Sequence, residues 1–198
     1  RRIQPRAAQV ILVEGADRVL PPYPADLSEK ARLQLERLGV QVRTGTLVSG
    51  VDAGGVQLGA ERIAARTVLW AAGVAASPLG RMLGPCDRVG RLLVEPDLTV
   101  PGHPEVLVAG DLAAVSHDGR PVPGVAPAAM QMGRHAAANI LRMVEGQPRR
   151  RFVYRDKGSL ATIGRKAAVA EIGRLRLSGL PAWLAWLGIH IFFLIGFR

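Results

Sequence analysis

The sequence predicts an α/β fold: the latter half of a βαβ nucleotide domain, then a second block of similar α/β character. Three observations predict it. Residues 8–13 (AQVILV) form a short apolar run rich in β-branched residues and stop at Glu14-Gly15, the pattern of a buried strand. A helical period follows the proline-rich loop at 21–24, with Leu27, Ala31, Leu35 and Leu38 on one face. A second apolar strand at 106–109 ends in Gly110-Asp111 and leads into another helical period.

Each element has its own local signal. The first helix starts near residue 27, with Asp26 as N-cap, Glu29 completing a capping box and Gly39 as the stop. Val40-Gln41-Val42 resumes as a strand. Residues 46–51 and 56–58, joined by a turn at Asp52-Ala53-Gly54-Gly55, read as a hairpin within a β-meander. Residues 67–71 (TVLWA) read as a further strand halted by Gly73. In the second block a strand is expected at 92–94. A helix is expected from Pro127 to Val144, with Ala129, Met132, Ala136, Ile140 and Met143 at helical spacing and Gly146 and Pro148 ending it.

Composition narrows the function classes. Hydrophobic content of 48% over 198 residues suits a packed core and argues against a disordered chain. Cys86, the single cysteine, excludes an internal disulfide framework. His103, His117, His135 and His190 show no ligand spacing, so no metal site is expected. Residues 149–176 hold nine Lys or Arg against Asp156 and Glu171, which places +7 of the net +10 there. Directly after comes a charge-free tail at 177–197, with Trp183, Trp186, Phe192 and Phe193 as bulky anchors. Cations beside an apolar segment suit an anionic membrane surface. No stacking aromatics interleave with the charges, so nucleic acid is not the expected partner. Gly179 and Pro181 break the tail near its start and leave about 17 residues, the low end of spanning length. The chain opens without Met and a few residues before a strand, and reads as a C-terminal fragment.

Two acids stand out. Glu14, at a strand end in a βαβ context, occupies the place from which an acid bonds the ribose hydroxyls of a dinucleotide. The glycine-rich loop of such a fold would lie about 20 residues earlier, before this chain begins. At Gly110-Asp111 the glycine lets backbone approach a ligand, and the carboxylate accepts from hydroxyls. A Gly-Pro loop and a helix N-terminus follow, able to face a phosphate or carbonyl oxygen.

The combination of WAAGV at 70–74, VAGD at 108–111, QMG at 131–133 and DKGSLATIG at 156–164 resembles type II NADH dehydrogenases. These belong to the two-dinucleotide-binding-domain flavoproteins, the glutathione reductase superfamily, and the resemblance runs from Val10 to the C-terminus. It implies a partial glutathione-reductase-like fold with a C-terminal amphipathic, membrane-anchoring helical segment. By it, residues 1–74 would be part of the NADH domain and 75–148 part of the FAD domain. Residues 149–198 would form the quinone-site and anchoring segment.

The resemblance assigns Glu14 to the NADH ribose, and Ala71, Ala72 and Gly73 to the return towards the flavin near the nicotinamide. Asp111, beside Gly110, would contact the ribityl chain and pyrophosphate of FAD. Ala129, Met130 and Gln131 would lie beneath the isoalloxazine, where quinone approaches, with Lys157 and Leu160 at the edge of the quinone tunnel. Pro127 stands where some members carry the first glutamine of an Ala-Gln-x-x-x-Gln pattern, leaving Gln131 alone. The implied activity is transfer of electrons from NADH through FAD to a membrane quinone in a respiratory chain, without proton pumping. The implied enzyme is a homodimer, bound monotopically to the cytoplasmic face of a bacterial inner membrane. A sulfide:quinone oxidoreductase ranks second, because its redox cysteines would have to be drawn from Cys86 alone in this stretch. Other pyridine nucleotide-disulfide oxidoreductases and a non-catalytic membrane-surface module remain alternatives.

Overall fold

The computed structural model describes residues 8–195. In chain order the elements are β1 (Val10–Val13), α1 (Ala25–Arg37), β2 (Val40–Arg43), β3 (Gly50–Asp52), β4 (Gly55–Leu58) and β5 (Glu61–Ala64). Then come α2 (Gly80–Leu83), β6 (Leu92–Leu93), β7 (Thr99–Val100), β8 (His103–Leu107), β9 (Ala113–Ala114), β10 (Ser116–His117) and β11 (Arg120–Pro121). The chain continues with α3 (Ala126–Val144), β12 (Ser159–Gly164), β13 (Ala167–Ile172), β14 (Leu175–Ser178) and α4 (Leu180–Ile195). They form two compact units, one made of residues up to 70 together with those from 158 on, the other of residues 71–157.

In the first unit β1 and β2 pair in parallel, Val10 opposite Val40 and Val13 opposite Arg43, with α1 as the crossover. The two-stranded sheet leaves β1 only half-buried, less than its apolar run suggests. α1 begins two residues earlier than expected, with Pro24 at the N-cap and no side-chain cap. Asp26 therefore sits inside the first turn, where it cannot cap, and pairs with Lys30 and with Arg176 at 3.0 Å. Glu29 bonds Arg32 instead of closing a capping box. Leu27 and Ala31 are fully buried, with Leu35 packed beside them. The hairpin gains a third strand, since β5 pairs with β4 as well. Residues 67–71 form no strand: none of their backbone is paired in a ladder, and Leu69 and Trp70 are 87% and 67% exposed.

The basic stretch folds into something its charge pattern did not suggest. Residues 159–178 are the antiparallel meander β12-β13-β14. Alternation along β13 explains its burial. Val169 turns to α1, joining Leu27 and Ala31, while Ala168 and Ala170 turn to α4, joining Ala182 and Trp183. The small side chains of Ala168, Ala170 and Ala182 let α4 lie close to the sheet. The cations sit at the margins: Arg165 and Lys166 at one turn, Arg174 at the other, and Arg176 tied to Asp26 and Glu171. Gly158, at the entry to β12, has φ +89°, and a Cβ there would stand 2.1 Å from the Glu171 carbonyl oxygen. A carbonyl in a ladder cannot rotate away. Gly158→Ala should lower stability by about 3 kcal/mol or more, read as a drop in the denaturant midpoint.

α4 covers 16 residues and is apolar all round, with His190 as its one polar side chain, so it is not amphipathic as expected. Trp183, expected as a membrane anchor, packs inward on the alanines. No helix among the described residues is long and apolar enough to cross a membrane. The last part of the expected tail, Gly196 and Phe197, lies outside the described residues.

The second unit is built around Leu92, Leu98, Val100, Val108, Val115, Met132 and Phe152. β6 and β9 pair in parallel, while β7-β8 and β10-β11 are antiparallel pairs. The strand expected at 106–109 is shifted to β8, and Val108 continues it by donating from its amide to Leu98 at 2.9 Å. α3 starts at Ala126, and its buried seam is Ala128, Met132 and Asn139. Ile140, expected inside, is exposed. The seam is turned because polar Asn139 bonds backbone on two neighbouring segments, a demand that hydrophobic periodicity does not register. Sequence reasoning placed domain boundaries at 74 and 148. In the packing, Phe152 joins the core of the second unit and Val169 that of the first.

Candidate functional site

The second unit holds a cleft of about 390 Å³. Its floor comes from the end of β8, where Ala109 is extended and Gly110 turns the chain with φ +76° into a single 3-10 turn, Gly110–Leu112. That turn leaves Asp111 exposed at the rim. Gly110 N–H points to Met132 Sδ at 3.2 Å, and a Cβ on Gly110 would reach to 3.5 Å from Ala129 Cβ. Across the cleft runs the loop from Val122 to Val125, which delivers the start of α3. A Cβ on Gly124 would approach Asp111 Oδ1 to 3.3 Å, so both glycines keep room beside the carboxylate.

The chemistry of this arrangement is that of a polar-ligand cradle. At the start of α3 Pro127 has no N–H, and the amides of Ala128 and Ala129 donate to the Val125 carbonyl at 3.0 and 3.1 Å, so what the helix start offers the cleft is the partial positive charge of its dipole. Val125, Ala128 and Ala129 line the cleft there. Asp111 offers acceptors for hydroxyls a short way off. Arg91 adds a cation, held by Asp87 at 2.7 Å. Partial burial pushes the Asp87 carboxyl up, but hydrogen bonds from Arg91 and Val89 outweigh it and hold the group below the ordinary carboxylate range.

Glu14 lies in the other unit, at the C-terminal end of β1. Its Oε1 accepts from Ala16 N–H at 2.8 Å, and its backbone bonds Arg43 and Thr46. The carboxylate is thus oriented by its own loop, half-buried at the strand end where a βαβ fold binds ligands.

Residues 3–133 match the family described as pyridine nucleotide-disulphide oxidoreductase. The chain belongs to that family. It is 45% identical over its whole length to the type II NADH:quinone oxidoreductase NdhA of Mycobacterium tuberculosis, of which it covers 44%. A type II NADH:quinone oxidoreductase of Staphylococcus saprophyticus is 32% identical over 86% of the chain, with 44% of that protein covered. The chain therefore spans under half the length of the curated relatives it matches. Among solved structures, NDH2 of Plasmodium falciparum in complex with NADH superposes with a TM-score of 0.80 over 91% of this chain and 54% of that one, at 16% identity, a likeness of fold.

In this pyridine nucleotide-disulphide oxidoreductase the sequence-predicted residues part company. Gly73, Gly110, Asp111 and Ala129 come together in the cleft lining. Ala72 precedes Gly73 without lining the cleft, and Met130 is exposed one position beyond Ala129. Gln131 points elsewhere, with both ends of its amide on the backbone of Arg155. Lys157 is the exposed last residue of the second unit. Leu160 belongs to the first, packed against the alanine cluster under α4. Sequence reasoning missed Ala76, Arg91 and Gly124. Gly124 had a signal, a Pro-Gly pair two residues before a helix. Arg91 had none, because its place is set by tertiary packing.

Proposed function

We propose that the full-length protein is an FAD-dependent NADH:quinone oxidoreductase of a respiratory chain that works without proton pumping, as a homodimer on the cytoplasmic face of a bacterial inner membrane. The observation that carries this reading is the 45% identity across all 198 residues to an enzyme of that name. The cleft supports it in kind. Gly110 and Gly124 leave backbone bare beside Asp111, and the start of α3 faces the same space. The acceptors of Asp111 and the positive end of the α3 dipole fit the ribityl and pyrophosphate part of FAD, which Gly110, Asp111 and the start of α3 would hold. Bound FAD supplies the hydride acceptor and the two-electron donor that no side chain here provides. The protein's own share is to orient the reactants and keep water out, with Gly73 and Ala129 closing the apolar side of the cleft. On this reading residues 1–74 carry the NADH side, 75–148 the FAD side and 149–198 the quinone and membrane side.

The test is NADH oxidation by purified full-length, FAD-loaded protein with and without a quinone. A rate that does not depend on quinone would sink the proposal. The sulfide:quinone alternative would need a second redox cysteine beside Cys86, whose thiol rests on the Gly84 carbonyl at 3.6 Å.

Glu14 sets the coenzyme. Its carboxylate would accept from the ribose hydroxyls of NADH and repel a 2′-phosphate. Glu14→Gln should narrow the preference for NADH over NADPH on the order of tenfold, the scale of a hydrogen bond to a charged group. An unchanged ratio of kcat/KM values would rule the role out.

A further inference from the structure

Between α3 and β12, residues 148–155 belong to no helix or strand, yet several of their backbone groups are bonded. Side chains of α3 do the work of a neighbouring strand. Arg142 Nε donates to the Pro148 carbonyl at 2.6 Å. Asn139, 1% exposed, donates to the Arg150 carbonyl and accepts from the Arg150 amide, both at 2.9 Å. His135 Nε2 stands 2.8 Å from the same carbonyl and 3.1 Å from Asn139 Nδ2. Gln131 repeats the Asn139 pattern on Arg155, donating to its carbonyl and accepting from its amide at 3.0 Å each. On the far side Phe152 N–H bonds Pro96 and Arg149 pairs with Asp97 at 2.6 Å, while the Phe152 ring meets His135 edge-on.

Two primary amides eight residues apart, about 12 Å along the helix, each clamp one residue of the strap by both backbone groups. An amide engaged at both ends by a peptide group is fixed in orientation, with one N–H and one lone pair still unused. Lys157, at the quinone edge by the resemblance, lies two residues beyond the Gln131 clamp. We propose that Gln131 is a positioning residue: it governs quinone reduction by fixing the strap that carries Lys157. This rests on the quinone-reductase reading above. Substrate-positioning groups displaced by about 1 Å cost activity steeply, so loosening the strap at either clamp should be felt at the quinone.

The experiment uses full-length, FAD-loaded enzyme and three variants: Gln131→Met, Asn139→Leu, and His135→Phe as the milder change should Asn139→Leu fail to fold. Hydrogen exchange is followed at the Arg155 amide, and steady-state kinetics are run with menadione as the quinone. In Gln131→Met the Arg155 amide should exchange on the order of tenfold faster, since its acceptor is gone. The KM for menadione should rise about threefold or more in Gln131→Met and in the 135 or 139 variant alike, with the KM for NADH unmoved. Unchanged exchange at Arg155 would overturn the clamp. A menadione effect confined to Gln131→Met would overturn positioning in favour of direct contact. Wild-type enzyme that fails to reduce menadione would remove the quinone-reductase reading and the positioning role with it, while the exchange arm still reports the clamp.

Discussion

Gly110→Val should strip the flavin from the full-length protein, weakening its retention on the order of a hundredfold. Two effects add. A left-handed backbone costs an ordinary L-residue about 1–2 kcal/mol, and a β-branched one more, and Gly110 sits at φ +76°. The new side chain would also begin 3.5 Å from Ala129 Cβ, so that its methyl groups fall on Ala129 or Met132, or in the cleft itself. Gly110→Ala separates the two, because its single methyl makes ordinary contact and leaves mainly the backbone cost, roughly a tenfold effect. The measurement is flavin per protein after gel filtration, with released flavin followed by fluorescence. Valine variant that stays stoichiometrically yellow would show that Gly110 does not border the flavin.

That the cleft was partly legible in the sequence follows from the kind of signal each residue gives. Gly110-Asp111 announces itself, because a glycine ending an apolar run permits the positive φ at which the chain turns and leaves the acid beside it exposed. Ala129 and Met132 come with the helix period. Arg91 and Ala76 reach the cleft only by tertiary folding, and no local pattern marks them. The fold divides in the same way. α1 and α3 were placed within one or two residues by periodicity and by Gly39 and Gly146. The meander of 159–178 was masked by its charges: β13 reads AAVAEI, and its three alanines are too small to stand out against the four cations of the meander. Residues 67–71 have strand composition, but composition does not supply a neighbour to pair with. Asn139 decided the facing of α3 against apolar periodicity, since an unpaired buried amide costs more than an exposed isoleucine gains.

Replacing Leu184, Ile191, Phe192 and Leu194 together with glutamine should release the full-length protein from membranes into high-salt buffer. All four are exposed on α4, and none belongs to the alanine cluster that seats the helix on β13. Substitution is a cleaner test than truncation, which would bare Ala168 and Ala170 and cost stability in its own right. Burying a large apolar side chain is worth about 2 kcal/mol. Even if half is realised, the four together supply ~4 kcal/mol, close to a thousandfold in partition. The cations add a different attraction, about 1 kcal/mol for each that reaches an anionic surface. Arg165, Lys166 and Arg174 are exposed at the turns of the meander, while Arg149 and Arg176 are committed to ion pairs within their units. The first two stand near the start of α4, because Gly179 N–H bonds the Ala168 carbonyl at 2.8 Å just past their turn. Salt at about 1 M shrinks the screening length to about 3 Å and removes the electrostatic part. The hydrophobic part does not respond to it. Wild-type protein should therefore stay with the membrane pellet in high salt and leave only with detergent, while the glutamine variant remains bound at low salt and elutes at high salt. A variant that resists salt as well as the wild type would show that α4 is not the anchor.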